Sequence, residues 1–340
     1  MSQPDLTAGE LTCKPSPSTA SGISEKPAVW AVRKGILLCL AGTCLYSFSN
    51  VCLRQLGIDT DQRWTIFMKE CVTVGCLTPL IFYWAVRRQY QWPALKWVAC
   101  ITIGGLICES IGARLHLHAF AVIGLLVSVP LVQAATMIFS AGVGRGFLGE
   151  RISGRCLIAM LIMLAAMSLL VFGPSKPVTE HTTPSHDSTT LLLAGLGTVL
   201  AGLAYSVHVV CIRMARQNRG MQITFIAVQV TGIGAMIFGF EFLRDNGWQI
   251  SAFWEDVPAN TWWLILASGL LNLAGFLFQI AGLRYTMVAR AQMIAVAQIV
   301  IGTLFGVFFF HELTNAMIWL GVILTVAGIF IVSTPGKTEQ

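Results

Sequence analysis

The sequence predicts an all-α polytopic membrane protein whose ten transmembrane helices form two inverted five-helix repeats. Three observations predict it: an apolar composition, ten apolar runs of spanning length, and a resemblance between the two halves of the chain. Residues of the set AVILMFWYC make up 55% of the 340, and only 11% are Asp, Glu, Lys or Arg. An ordinary soluble domain is about one quarter charged. Mean hydropathy is +0.72. A surface facing water needs more charge than this chain carries, whereas a surface facing hydrocarbon does not.

The apolar runs are 34–55, 64–86, 95–118, 122–144, 152–172, 190–212, 222–243, 260–283, 287–310 and 313–333. Each can cross a hydrocarbon core about 30 Å thick. In lipid the backbone must satisfy its own hydrogen bonds, so each run is a helix or a strand of a closed barrel. Barrel strands are shorter and alternate polar with apolar residues, so helices are expected. Residues 1–30 are rich in Ser, Thr and Pro, lack the apolar stretch of a signal peptide, and read as a disordered cytoplasmic tail. Residues 334–340 read as a second tail. The Pro-, Ser-, Thr- and His-rich segment 173–189 is an outer linker dividing 34–172 from 190–333.

The formal charge of +6 is explained by topology. With the N-terminus in the cytoplasm, sixteen Lys and Arg fall on the cytoplasmic side and five on the outer side, Arg114 remaining inside a span. This bias predicts a cell (inner) membrane protein with both termini cytoplasmic. Arg54 and Lys69 are expected to snorkel to the interface. Trp64, Trp84, Trp248, Trp254, Trp262 and Trp263 suit an interfacial belt. No basic aromatic platform points to nucleic acid. The ten cysteines form no CxxC pair, and nine lie in or beside apolar helices, where Cys is a small packing residue.

The halves repeat. LYSFSNVCLR at 45–54 matches AYSVHVVCIR at 204–213, aligning Tyr46 with Tyr205 and Arg54 with Arg213 at an offset of 159. Residues 150–171 match 312–333, aligning Glu150 with Glu312 at an offset of 162. Five helices is an odd number, so the second half enters the membrane from the opposite side. Two inverted halves around a shared site can expose it to either face in turn.

The ten-helix layout and the stretch 278–333 resemble the drug/metabolite transporter superfamily, specifically a protein with two EamA-type domains. The resemblance rests on Gly282, Leu283, Tyr285, Thr286, Glu312, Gly321 and Gly328 in the second half. The first half keeps Ala119, Phe120, Pro130, Gly149 and Glu150 and lacks the Tyr-Thr pair. The resemblance implies export or import of small metabolites, amino acids among them, and fixes no substrate.

Chemistry is expected first in the third span, which carries Glu109, Arg114, His116 and His118. A charge at mid-membrane is costly and is usually functional or paired. Glu109 falls near the centre of the span. His116, seven residues on, shares its helical face, whereas Arg114 turns aside, where it is a candidate to hold Glu109 ionised or itself to meet an anionic substrate. Three readings stand for Glu109: a proton or substrate-ammonium site, a structural partner of Arg114 or another basic group, or the marker of a misplaced helix boundary. A buried carboxylate can take and release a proton in the physiological range, with His116 and His118 as relay members or as satisfied interior residues. At an offset of 163, Glu109 corresponds to Asn272 and His116 to Gln279, again seven apart on one face. The two faces are expected to converge on one cavity. Tyr46, Ser49 and Asn50, Gln133 and Thr136, Tyr205 and His208, Gln229, Gln292 and Gln298 are candidates for its wall, or else helix-to-helix hydrogen bonds. Glu150 and Glu312 read as acids at the N-termini of the fifth and tenth helices, favoured by the helix dipole. Arg290 reads as a positive charge at the inner face. Span glycines, Gly35, Gly42, Gly112, Gly202 and Gly234 among them, permit close packing, and Pro130 is expected to bend the fourth helix.

No nucleotide loop, metal-ligand cluster or nucleophile-base pair is recognisable, so neither an enzyme nor a cofactor is expected. The expected function is a secondary transporter of small metabolites working by alternating access, with proton coupling through Glu109. The alternative is a non-transporting scaffold or sensor. Partners are a small solute, protons and the bilayer, and the chain is a monomer or homodimer.

Overall fold

The structure is a computed structural model. It describes residues 26–56, 60–90, 92–123, 125–150, 152–172, 187–217, 221–254, 257–309 and 315–334. Most of the expected N-terminal tail, most of the 173–189 linker, the last six residues and Glu312 lie outside these.

The described chain is an all-α bundle. In order it forms α1 (Lys26–Leu56), α2 (Gln62–Val86), α3 (Leu95–Ile107), a π-helical turn (Cys108–Ala113), α4 (Arg114–Ile123), α5 (Leu125–Leu148), α6 (Gly154–Phe172) and α7 (Ser188–Gln217). There follow α8 (Ile223–Asp245), a short 3-10 turn (Ile250–Phe253), α9 (Ala259–Gly282), α10 (Val288–Ala295), α11 (Ala297–Phe308) and α12 (Ala316–Ser333). Among the described residues, nine helices are long and apolar enough to cross a membrane. The tenth expected span is α6, whose apolar stretch Gly154–Leu169 is shorter. The protein is thus a polytopic membrane protein with nine or ten long apolar helices.

Four differences from the sequence reading have local causes. Helix α1 starts at Lys26, so residues 26–30 are helical rather than tail. Pro27 is compatible with that start, because a first-turn proline gives up no intrahelical donor. The third span is continuous to Ile123 but widens into the π-helical turn around Glu109. Such turns are rare and are found frequently at functional sites. The ninth span breaks at Val296 into α10 and α11. Trp64 is not a belt residue: it is 4% exposed, and its indole N–H donates to the Phe253 carbonyl at 3.1 Å. It anchors a small core with Leu56, Met68, Phe242, Phe253 and Ile265 at the end of the bundle where α1 finishes.

Packing joins the first half of the chain to the second. Helix α1 runs along α9, α7 runs along α5 and the third span, α2 along α8, and α6 along α12. The α1–α9 contact is glycine-paved. A Cβ at Gly42 would stand 2.8 Å from the Gly275 carbonyl oxygen, and one at Gly282 would stand 2.5 Å from Cys39 Sγ. On α7, a Cβ at Gly202 would stand 2.5 Å from Ala135 Cβ of α5. Such approach maximises dispersion contact between helices that gain little from the hydrophobic effect in lipid. Buried hydroxyls add cross-links: Ser49 donates to the Ser268 carbonyl at 2.9 Å, and Ser206 donates to the Thr136 carbonyl at 2.9 Å. Gln229 is such a link rather than a wall residue, donating to Val98 O at 2.7 Å and Thr102 Oγ1 at 2.6 Å.

Candidate functional site

Between these helices lies a cavity of about 440 Å³. Its wall draws on α1, α2, the π-helical turn, α4, α5, α7, α8, α9 and the broken α10–α11 span. The structure brings eight sequence candidates to it: Glu109, His116, Asn272, Gln279, Tyr46, Asn50, Tyr205 and His208. Gln133, Thr136, Gln292 and Gln298 join them, the last two flanking the break at Val296.

The π-helical turn sets Glu109 and His116 on either side of the helix transition at Arg114. The Tyr205 hydroxyl lies 3.4 Å from His116 Nδ1, with the rings edge to face at 6.0 Å, so a polar pair spans the third span and α7. Gln279 is held in place: its amide donates to Thr43 Oγ1 at 2.9 Å and to the Cys39 carbonyl at 3.2 Å. Asn272 and His208 are 6% and 7% exposed. Ser49, at the position matched to His208, spends its hydroxyl on Ser268 instead of the cavity.

Arg114 does not reach the cavity. Its side chain is half-exposed and pairs with Glu241 of α8, a partner that spacing along the chain does not reveal. A residue five positions beyond Glu109 faces aside, and the π-helical turn does not bring it back.

Two wall residues are absent from the sequence candidates. Lys69 and Glu70, on α2, line the cavity and form an ion pair at 3.0 Å, their side chains 14% and 12% exposed. Lys69 therefore does not snorkel to an interface. A signal for them exists: adjacent opposite charges about two turns inside an apolar run do not suit lipid. Glu70 and Glu109 settle on the same backbone surface of α8. A Cβ at Gly234 would be 3.5 Å from Glu109 Cδ and 3.7 Å from Glu70 Cγ. These are ordinary van der Waals separations, and they place the Glu109 carboxylate and the Glu70 side chain beside the same point of α8.

Where α1 begins, the bundle is tied by a second polar group. Glu150 is not the cap of α6, whose first turn is served by Ser153 Oγ accepting from Cys156 N–H at 3.3 Å. Glu150 accepts instead from Val288 N–H, at the start of α10, at 2.9 Å, and pairs with Arg213 of α7 at 3.5 Å. Arg213 also donates to the Leu283 carbonyl. Burial raises the Glu150 pKa above the ordinary carboxylate value, against the lowering pull of Val288 N–H and Arg213. Arg290 is 2% exposed, with its guanidinium 3.9 Å from Cys156 Sγ, so it is an interior residue rather than a charge on the inner face.

The nine described cysteines are free thiols, and among the described residues no group of three or more His, Cys, Asp or Glu is placed to hold a metal ion.

Comparison with known proteins adds three findings. Residues 192–334 match the EamA-like transporter family. An uncharacterized transporter in the cobO 3' region of Sinorhizobium sp is 33% identical over 79 residues, or 23% of this chain, and the match spans 56% of that relative's length. A protein known from its crystal structure superposes on 91% of this chain and 99% of its own with a TM-score of 0.61, at 16% identity, a likeness of fold.

Proposed function

We propose that this chain is a secondary transporter of small polar solutes in the drug/metabolite transporter superfamily. Its halves, 34–172 and 190–333, work as inverted five-helix EamA-type repeats around the central cavity. The observation that carries the reading is that cavity. A polar space built from both halves, inside a bundle otherwise selected for lipid, has no structural use. The match of 192–334 to the EamA-like transporter family supports it. So do the positions matched between the halves, because Tyr46 with Tyr205, Glu109 with Asn272 and His116 with Gln279 all face the same space.

In this mechanism the solute binds in the cavity, and rocking of one half against the other exposes it to each side in turn. Glu109 is the coupling acid, protonated in one facing state and deprotonated in the other. Its place in a π-helical turn, a feature frequent at functional sites, supports this role. The Lys and Arg bias supports an orientation with both termini in the cytoplasm.

The test is reconstitution in liposomes enclosing a pH-sensitive dye, with pooled small metabolites added outside. Wild type is expected to give solute-dependent proton movement, Glu109→Gln to abolish it, and Arg114→Gln, outside the cavity, to keep it. Equal signals from wild type and Glu109→Gln would remove Glu109 from the mechanism. Absence of dye signal and of isotope flux for every pool would favour the scaffold or sensor alternative.

A further inference from the structure

The charges on the cavity wall do not cancel. Among the described residues, its only Asp, Glu, Lys or Arg members are Lys69, Glu70 and Glu109. Lys69 is engaged by Glu70 Oε1 at 3.0 Å. Glu70 Oε2 is buried and has no hydrogen-bond partner among the described residues. The Glu109 carboxylate has a thiol contact from Cys108 at 3.6 Å, a weak donor, and is met by no arginine among them. The nearest arginine in sequence, Arg114, is committed to Glu241, and Arg213 is committed to Glu150. The Glu109 carboxylate and the Glu70 side chain both approach Gly234, so the two acids stand at one side of the cavity. His208, 7% exposed and facing the same cavity, keeps a buried Nδ1 without a partner among the described residues.

A carboxylate withdrawn from water is costly until a positive charge or a proton meets it. The rest of the wall describes the body attached to that charge. Tyr46, Tyr205 and Phe276 contribute aromatic rings to the wall, and the quadrupole of such rings attracts cations. Gln133, Gln292 and Gln298 offer neutral amides for hydroxyls or amides of a solute. A bare metal ion would not use a space of about 440 Å³, and no three-ligand group suits one among the described residues. The described wall holds no arginine and no unengaged lysine to receive a carboxylate or phosphate.

We infer that the cavity selects solutes bearing one ammonium group on an otherwise neutral body, the ammonium seated between Glu70 and Glu109 on the side of the cavity near Gly234. The inference rests on the transporter reading and names its substrate class. Lys69 then acts as the specificity-determining charge, cancelling one of two acids so that a monocation is matched and a dication is not. Zwitterions and anions are rejected, since their carboxylate would face the same two acids.

The test uses the purified full chain in lipid nanodiscs and three probes that share a phenol ring and differ in charge: tyramine, tyrosine and 4-hydroxyphenylacetate. Calorimetric titration is expected to show tyramine binding at least about tenfold more tightly than either of the others, a difference of about 1.4 kcal/mol. Glu70→Gln and Glu109→Gln are each expected to weaken tyramine binding by about tenfold or more, and Lys69→Gln to strengthen it. The three-probe ranking on wild type needs no variant, so a variant that elutes aggregated does not decide the matter. Binding of tyrosine or 4-hydroxyphenylacetate as tight as that of tyramine overturns the inference. So does tyramine binding that is unchanged in both glutamate variants. Failure of all three probes to bind protein that still moves pooled solutes in liposomes overturns the class and leaves transport standing. The expected ranking in protein that moves no solute supports the class and removes transport.

Discussion

Replacing Gly42 with valine is expected to collapse the cavity and to lower the melting temperature sharply. A Cβ at that position would meet the Gly275 carbonyl oxygen at 2.8 Å, Gln279 Cγ at 3.0 Å and the Gln279 backbone nitrogen at 3.1 Å. Two of these are backbone atoms of α9, so no rotamer change relieves the clash. Overpacking typically costs about 1–3 kcal/mol, and rigid neighbours push the cost to the upper end or beyond. The helices would have to part along their length, because Gly35, Gly42, Gly275 and Gly282 all lie on the shared contact. Gln279 would then lose its hold on Thr43 and Cys39, and with it the wall of the cavity. Thermal unfolding in detergent and titration with a bound solute would measure both effects. The control is Gly302→Ala, where an added Cβ meets nothing within 4 Å. There the change is expected to be neutral or slightly stabilising, since alanine is the better helix former by roughly 1 kcal/mol. Equal melting of Gly42→Val and Gly302→Ala would refute the close-contact account.

The second large effect is expected at Arg213. Its side chain and that of Glu150 are 12% and 10% exposed, and together with Val288 N–H and the Leu283 carbonyl they tie α7 to the starts of α6 and α10. Removing one member of a buried pair costs about 3–5 kcal/mol, because the other charge is left uncompensated. Arg213→Gln should therefore destabilise strongly, and adding Glu150→Gln should restore part of the loss. The pH dependence follows from the raised Glu150 pKa. A carboxyl whose folded pKa is raised binds its proton more tightly when folded, so its ionisation costs stability as pH rises through that pKa. Arg213 offsets this cost. Without it, the deficit of Arg213→Gln against wild type should be smallest below the raised Glu150 pKa of the wild-type protein and widen as pH rises above it. Melting curves at several pH values would show this, and a deficit independent of pH would mean that the pair is not ionic.

Much of this molecule is set locally by the chain. Its long apolar runs had to become helices, because backbone groups in lipid have no other partners, and each run overlaps a helix observed, though α1, α7 and the third span extend five to eight residues past the expected limits. The charges and amides inside those runs marked the cavity in advance. Glu109, His116, Asn272 and Gln279 were legible because polar groups in lipid-facing positions are so costly that their mere presence identifies an interior face. Tertiary structure decided the rest. Arg114 and Lys69 have the same intrinsic cost in a membrane, yet one pairs with Glu241 away from the cavity and the other with Glu70 on its wall. Glu150 reads as a local cap and instead serves the first turn of α10. The break at Val296 has no glycine or proline to announce it, and Gly112 in the π-helical turn is one glycine among many in the spans. Helical spacing fixes which face a side chain takes on a regular helix. Which helix that face meets, and where the helix itself deviates, is settled only when the helices pack and each buried charge finds its partner.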